Sequence, residues 1–195
     1  MVKTKAIIFD CFGVLIMGGR NLLYQDFPHL QTEICDLERQ SDYGMISRSD
    51  FNVAISKLTG IHQDEINTKY FKHTNVRNEP VIDIVRKIKT SGNHKVGLLS
   101  NIGTGWIDDF LPSDERTQLF DHEVLSSNVG LLKPDPAIFE LMAKRLGVDT
   151  SECIMIDDVL SNVDGAERVG MRGIVFGSPD QLLFELERMA DINNA

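Results

Sequence analysis

Apolar residues along this chain fall into two rhythms. Five short stretches, residues 5–9, 95–99, 123–126, 153–156 and 173–176, are largely apolar with little alternation. Such runs predict strands covered on both faces, as in a parallel sheet. Between them apolar positions recur at helical spacing. Val81, Ile82, Ile84, Val85 and Ile88 form one stripe, and Ala137, Ile138, Leu141, Met142 and Leu146 another after Pro134 and Pro136. Val163, Ala166 and Val169 mark a third helix, with Gly170 as its stop. Ser178-Pro179-Asp180-Gln181 opens a fourth, with a capping serine and a proline in the first helical position. Alternating strands and helices predict an α/β fold: a doubly wound, three-layer Rossmann-like parallel sheet with right-handed crossovers.

Residues 18–77 break this rhythm. They hold no convincing strand run but several helical patterns, among them Phe51, Ala54, Ile55 and Leu58. Gly44 and Gly60 punctuate the stretch, and Ser47 suits the N-cap of a helix over 50–58. The expectation is a core of residues 1–17 and 78–195, with residues 18–77 inserted as a small α-helical cap.

Composition narrows the function classes. A length of 195 residues suits one core domain plus a modest insertion. A net charge of −9 argues against broad nucleic-acid binding, which needs a basic surface. No apolar run approaches a membrane span. The opening Met-Val-Lys-Thr-Lys lacks the long apolar region of a secretory signal, so a cytoplasmic location is expected. Cys11, Cys35 and Cys153, odd in number and irregular in spacing, read as reduced thiols rather than a disulfide framework or zinc site. Oligomeric state is left open.

Candidate chemistry gathers at the predicted strand ends. The first strand ends in Asp10, a carboxylate costly to bury after four apolar residues unless something pairs or uses it. Gly13 follows and allows a tight turn. The second strand ends Leu98-Leu99-Ser100-Asn101, whose hydroxyl, amide and nearby backbone N–H groups suit an oxyanion. Lys133 sits between Gly130 and the restrictive prolines 134 and 136. The fourth strand ends in Asp157-Asp158, with Asn162 beyond, and adjacent carboxylates there need a cation or a lysine between them. Taken singly, each has a plain structural reading: a strand cap, an ordinary turn, a solvated lysine. Together they lie at the carboxyl edge, where open parallel sheets bind ligands.

Asp10 with Gly13-Val14, Leu98-Leu99-Ser100-Asn101, Lys133-Pro134-Asp135-Pro136-Ala137-Ile138-Phe139-Glu140, and Ile156-Asp157-Asp158 with Asn162-Val163 resemble the four ordered motifs of the haloacid dehalogenase superfamily. The wording is closest to the phosphatase-like subfamily with a small helical cap. The resemblance implies a strand order of 5-4-1-2-3 for the five predicted strands. It implies that Asp10 is the nucleophile of an aspartyl-phosphate mechanism and that Lys133 neutralises charge between Asp10 and the phosphate. Ser100 and Asn101, with Lys133, would bind the phosphoryl oxygens. Mg²⁺ would be held by Asp10, the Phe12 carbonyl and Asp158, with Asp157 close by or acting through water. The implied partner is a small phosphorylated substrate.

One position departs from the pattern. Two residues after the nucleophile the superfamily's phosphatases carry a second Asp, which protonates the leaving alcohol and later activates water. Here it is Phe12, which can do neither. Three readings remain open. The chain is a phosphatase favouring good leaving groups, a domain that binds a phosphorylated ligand or a protein without turnover, or a dehalogenase, whose members carry Tyr at the equivalent place. The paired Asp157-Asp158 is unlike the dehalogenase pattern. Arg20, Tyr24, Tyr43 and Arg48 could reach into the pocket from the cap, but each reads more readily as a surface or cap-core residue, while Trp106 and His122 carry no clear functional signal.

Overall fold

The computed structural model describes residues 3–18, 20–72 and 75–190. In chain order the strands are β1 (Ala6–Phe9), β2 (Ile16–Gly18), β3 (Asn75–Arg77), β4 (Lys95–Ser100), β5 (His122–Leu125), β6 (Cys153–Asp157) and β7 (Arg172–Val175). The main helices are α1 (Arg20–Asp26), α2 (Gln31–Asp42), α3 (Arg48–Thr59), α4 (Gln63–Ile66), α5 (Glu79–Ser91), α6 (Ser113–Leu119), α7 (Ser126–Val129), α8 (Pro136–Leu146), α9 (Leu160–Arg168) and α10 (Pro179–Ala190).

Five strands form one sheet in the order β5-β4-β1-β6-β7, all parallel. This is the expected 5-4-1-2-3 arrangement read from the other edge. β1 is central and wholly buried, with Phe9 level with Leu98 of β4 and Ile156 of β6. The alternation of side chains sorts the strands into two cores. Ile7, Phe9, Val96, Leu98, Ile154 and Ile156 pack with α5 and α10, whereas Ala6, Ile8, Leu99, Val124 and Met155 pack with α8 and α9. The five apolar positions expected on α5 are all buried. At the start of α10 the Ser178 hydroxyl accepts from Gln181 N–H, as its sequence predicts.

Helices α1 to α4 and a π-helical turn over residues 67–72 make up the cap. Ser47 caps α3 in a reciprocal arrangement with Asp50, and Gly60 ends that helix in the left-handed region. The cap is tied to the core by polar contacts. Ser126 Oγ donates to the Asp42 carbonyl at 2.7 Å and accepts from Ile102 N–H at 2.8 Å. Arg48 reaches the Gly105 carbonyl and pairs with Asp109. Among the described residues, no helix is long and apolar enough to cross a membrane.

The expectation of a strand-free stretch over 18–77 is overturned. β2 and β3 pair antiparallel, Ile16 with Arg77 and Gly18 with Asn75, where the chain enters and leaves the cap. β3 is three residues long, and its one apolar side chain, Val76, is exposed, so burial leaves no mark on its sequence. The strands predicted over 123–126 and 173–176 each lie one residue earlier, because Ser126 begins α7 and Phe176 follows the last ladder residue.

Candidate active site

The carboxyl ends of β1, β4 and β6 converge on Lys133. Its ammonium is fully buried and lies 2.7 Å from Asp10 Oδ1, 2.6 Å from Asp157 Oδ2 and 3.0 Å from the Leu99 carbonyl. Burial works against the charged ammonium, but Asp10 and Asp157 outweigh it and hold the group above the ordinary lysine value. Lys133 is therefore charged at neutral pH. Its main chain is clamped by Asn101, whose side-chain oxygen accepts from Lys133 N–H at 2.8 Å and whose amide donates to the Lys133 carbonyl at 2.9 Å.

Asp157 has no exposure, and protein donors occupy both its oxygens. Oδ1 accepts from Val159 N–H at 2.9 Å and from the Asn162 amide at 3.0 Å. Oδ2 accepts from Lys133 and, at 3.1 Å, from the same amide. Asp157 thus orients Lys133, and Asn162 orients Asp157. Asp158 is exposed and faces the opening. A Cβ on Gly13 would fall 2.2 Å from its carboxylate, and Gly13 has φ +88°, so only glycine leaves that space.

Asp10, Asp157 and Asp158 each offer an oxygen within 4.8 Å of the others. Three carboxylates with one lysine among them make a set of hard oxygen donors that a divalent cation would complete. Asp10 and Asp158 line the cleft whereas Asp157 is buried behind it, so these two are the donors a cation in the cleft would meet. Ser100 Oγ, at the end of β4, is buried with no hydrogen-bond partner.

The cleft above these groups has a volume of about 740 Å³. Core residues Asp10, Phe12, Asn101, Lys133 and Asp158 line it, together with Met17 of β2 and Leu22 and Gln25 of α1. The last three gave no sequence signal, because flexible apolar or neutral side chains on short elements look like any surface. The cap residues singled out by sequence lie elsewhere. Tyr24 donates to Glu38, Tyr43 lies under Arg39, and Arg48 is spent on Asp109 with its guanidinium 4.2 Å from the Trp106 ring centre. The side chain of Arg20 lies outside the described residues. His122 is exposed at the start of β5. Cys11 and Cys153 are buried and Cys35 exposed, all as free thiols, and burial pushes Cys153 up to about 12.

A family model for haloacid dehalogenase-like hydrolases matches residues 4–170. The chain belongs to this family of hydrolases. Two curated relatives show its breadth. Over 122 residues the chain is 30% identical to bifunctional epoxide hydrolase 2 of Sus scrofa, a match covering 59% of this chain and 21% of that one. Over 180 residues it is 26% identical to a sesquiterpene phosphatase of Aspergillus oryzae, covering 87% of this chain and 88% of that one. The chain thus spans about a fifth of the first relative but most of the second. A haloacid dehalogenase family enzyme of Bacteroides thetaiotaomicron, solved in complex with magnesium, superposes with a TM-score of 0.80. That match has 22% identity and covers 94% of this chain and 99% of that one, so it shows the shared fold.

The buried cluster of Asp10, Lys133 and Asp157 carries a consequence for stability. Replacing Lys133 by Met leaves two carboxylates buried without a counter-charge, which costs about 3–5 kcal/mol. In EDTA at pH 7 that corresponds to a fall of about 2–4 °C in melting temperature for each kcal/mol at this size. Denaturant titration of both proteins checks it, and a loss below about 1 kcal/mol would show that the carboxylates are neutralised some other way.

Proposed function

We propose that this hydrolase is an Mg²⁺-dependent phosphatase of a small phosphorylated metabolite, acting through a phosphoryl group carried on Asp10, with residues 18–77 as the cap over the site. The observation that carries this reading is the juxtaposition of Asp10, the buried Lys133 and the exposed Asp158 at one cleft. Asp10 attacks phosphorus in line, the bond to the leaving oxygen breaks, and water then cleaves the acyl phosphate. Lys133 neutralises charge as it builds on the phosphoryl oxygens. The unpartnered Ser100 hydroxyl supports a role in binding those oxygens, and Asn101 supports one in holding Lys133 in place. Asp10, the Phe12 carbonyl and Asp158 would hold the metal, with Asp157 behind them. The bound cation would supply Lewis-acid stabilisation of the phosphate. The magnesium in the Bacteroides enzyme and the phosphatase relative in Aspergillus favour the same assignment.

A screen of phosphate esters with and without Mg²⁺ tests the reading, and Mg²⁺-dependent release of phosphate is the expected result. No turnover of any ester, aryl and acyl phosphates included, would favour a binding role, which Phe12 already makes the second reading. Calorimetric titration with Mg²⁺ is expected to show one site in the parent protein that Asp158→Ala loses. Equal binding by both proteins would remove Asp158 from the metal site.

A further inference from the structure

Beside the catalytic cleft lies a second cavity, of about 100 Å³, between the cap and the loop after β4. Among the described residues Phe12 is the one that lines both, so the two spaces meet at its ring. We propose that the leaving group of a phosphate ester on Asp10 passes Phe12 into this cavity, which seats a short alkylammonium group, so that the substrate is an aminoalkyl phosphate of about the size of phosphoethanolamine. The proposal rests on the phosphatase reading and names its substrate class.

Size comes first. A cavity of about 150 Å³ is known to take one benzene molecule. A space of 100 Å³ is smaller, and suits a group of a few heavy atoms rather than an aryl ring or a long hydrocarbon. The walls come next. Phe12, Phe51, Phe71, Trp106 and Phe110 present aromatic surface. Phe12 and Phe110 meet edge to face at 5.7 Å, as do Phe51 and Trp106. Ring faces attract cations, and Trp106 already carries the Arg48 guanidinium 4.2 Å from its centre.

The polar part of the lining decides the charge. It consists of Glu38, Ser41, Asp42 and Asn75, and no Lys or Arg is among the described residues that line the cavity. Asn75 donates to the Phe71 carbonyl, while its own side-chain oxygen is buried with no partner. The lining thus carries two carboxylates, of which Glu38 also accepts from Tyr24, and the Arg48 guanidinium stands on its wall residue Trp106. An anionic group would be repelled, and a purely apolar one would leave the Asn75 oxygen unsatisfied. An ammonium supplies three donors and a positive charge. It also suits Phe12, because a positive nitrogen two carbons from the ester oxygen withdraws electrons and eases departure of the alkoxide without a general acid.

The decisive comparison is phosphoethanolamine against n-propyl phosphate, which replaces the ammonium by a methyl group. With Mg²⁺ and p-nitrophenyl phosphate as reference, kcat/KM is expected to favour the aminoethyl ester about tenfold, the scale of a desolvated cation on aromatic faces. Glu38→Gln with Asp42→Asn is expected to bring the ratio of the two esters towards one, whereas mere structural damage would lower both alike. Calorimetric titration of each ester into Asp10→Asn protein with Mg²⁺ reads the cavity apart from turnover, and tighter binding of the aminoethyl ester is expected. If the aryl ester is hydrolysed but the two alkyl esters are equal, or the propyl ester is preferred, the ammonium site is overturned and the phosphatase reading stands. If nothing is hydrolysed, the phosphatase reading falls, and equal or absent binding of the two esters then overturns the cavity assignment as well.

Discussion

Asp10→Asn is expected to abolish hydrolysis of every phosphate ester the parent protein accepts while leaving the fold intact. An amide has nearly the shape of a carboxylate but is a poor nucleophile. Removal of a covalent nucleophile in other hydrolases costs on the order of a millionfold in kcat, so turnover should fall below detection. The fold should survive for a reason the geometry makes specific. Lys133 is shared between Asp10 and Asp157. The amide oxygen introduced at position 10 still accepts from Lys133, and Asp157 still supplies its counter-charge, so stability should change by less than about 1 kcal/mol. Initial rates on p-nitrophenyl and acetyl phosphate check the first part and thermal melts the second. Mass spectrometry of acid-quenched parent protein should also reveal a phosphoryl adduct. Retained turnover by pure Asp10→Asn protein would place the nucleophile elsewhere.

Phe12→Asp is expected to widen the range of leaving groups. An alkyl phosphate releases an alkoxide, which leaves poorly until protonated, whereas an aryl or acyl phosphate releases a stabilised anion. A positioned general acid is worth about a hundred- to ten-thousand-fold. The parent should be slow on sugar phosphates and less impaired on p-nitrophenyl phosphate. The substitution should raise the first rate far more than the second. Position 12 is placed to act, because its side chain is half-buried and lines the cleft with Asp10, and it meets Phe110 edge to face. Loss of that aromatic contact is expected to cost about 0.5–1.5 kcal/mol beyond the apolar area it buries. Circular dichroism must first show a folded variant. A folded variant with no gain on any alkyl phosphate would mean that position 12 is not where the acid is missing.

The core and the set of polar residues gathered at its carboxyl edge were legible because both are written locally. Asp10, Ser100 and Asp157 each follow an apolar run, and parallel pairing carries the ends of β1, β4 and β6 to one edge whatever lies between them. Lys133 and Asn162 follow from motif spacing. What stayed hidden depends on how distant segments dock. Nothing near Asn101 in the chain shows that its amide grips the main chain of Lys133. Trp106 gained meaning only when the cap laid Phe51 and Phe71 against it. Ser126 holds the Asp42 carbonyl across 84 positions of sequence, and that contact sets where the cap sits. Arg48, which reads more readily as a surface or cap-core residue than as a pocket cation, is an anchor on Asp109.

The pairing of β2 with β3 has a consequence for how this molecule can be rebuilt. Ile16 and Arg77 stand opposite each other on adjacent strands, about 5 Å apart, so the whole cap hangs from two neighbouring points. Whatever is spliced between Gly18 and Asn75 begins and ends at the same doorway. Asp10, Lys133 and Asp158 all lie outside the spliced stretch. A shorter or foreign insert with closely placed ends should therefore graft onto this core as a removable head, changing which molecules are admitted while the machinery beneath keeps its form.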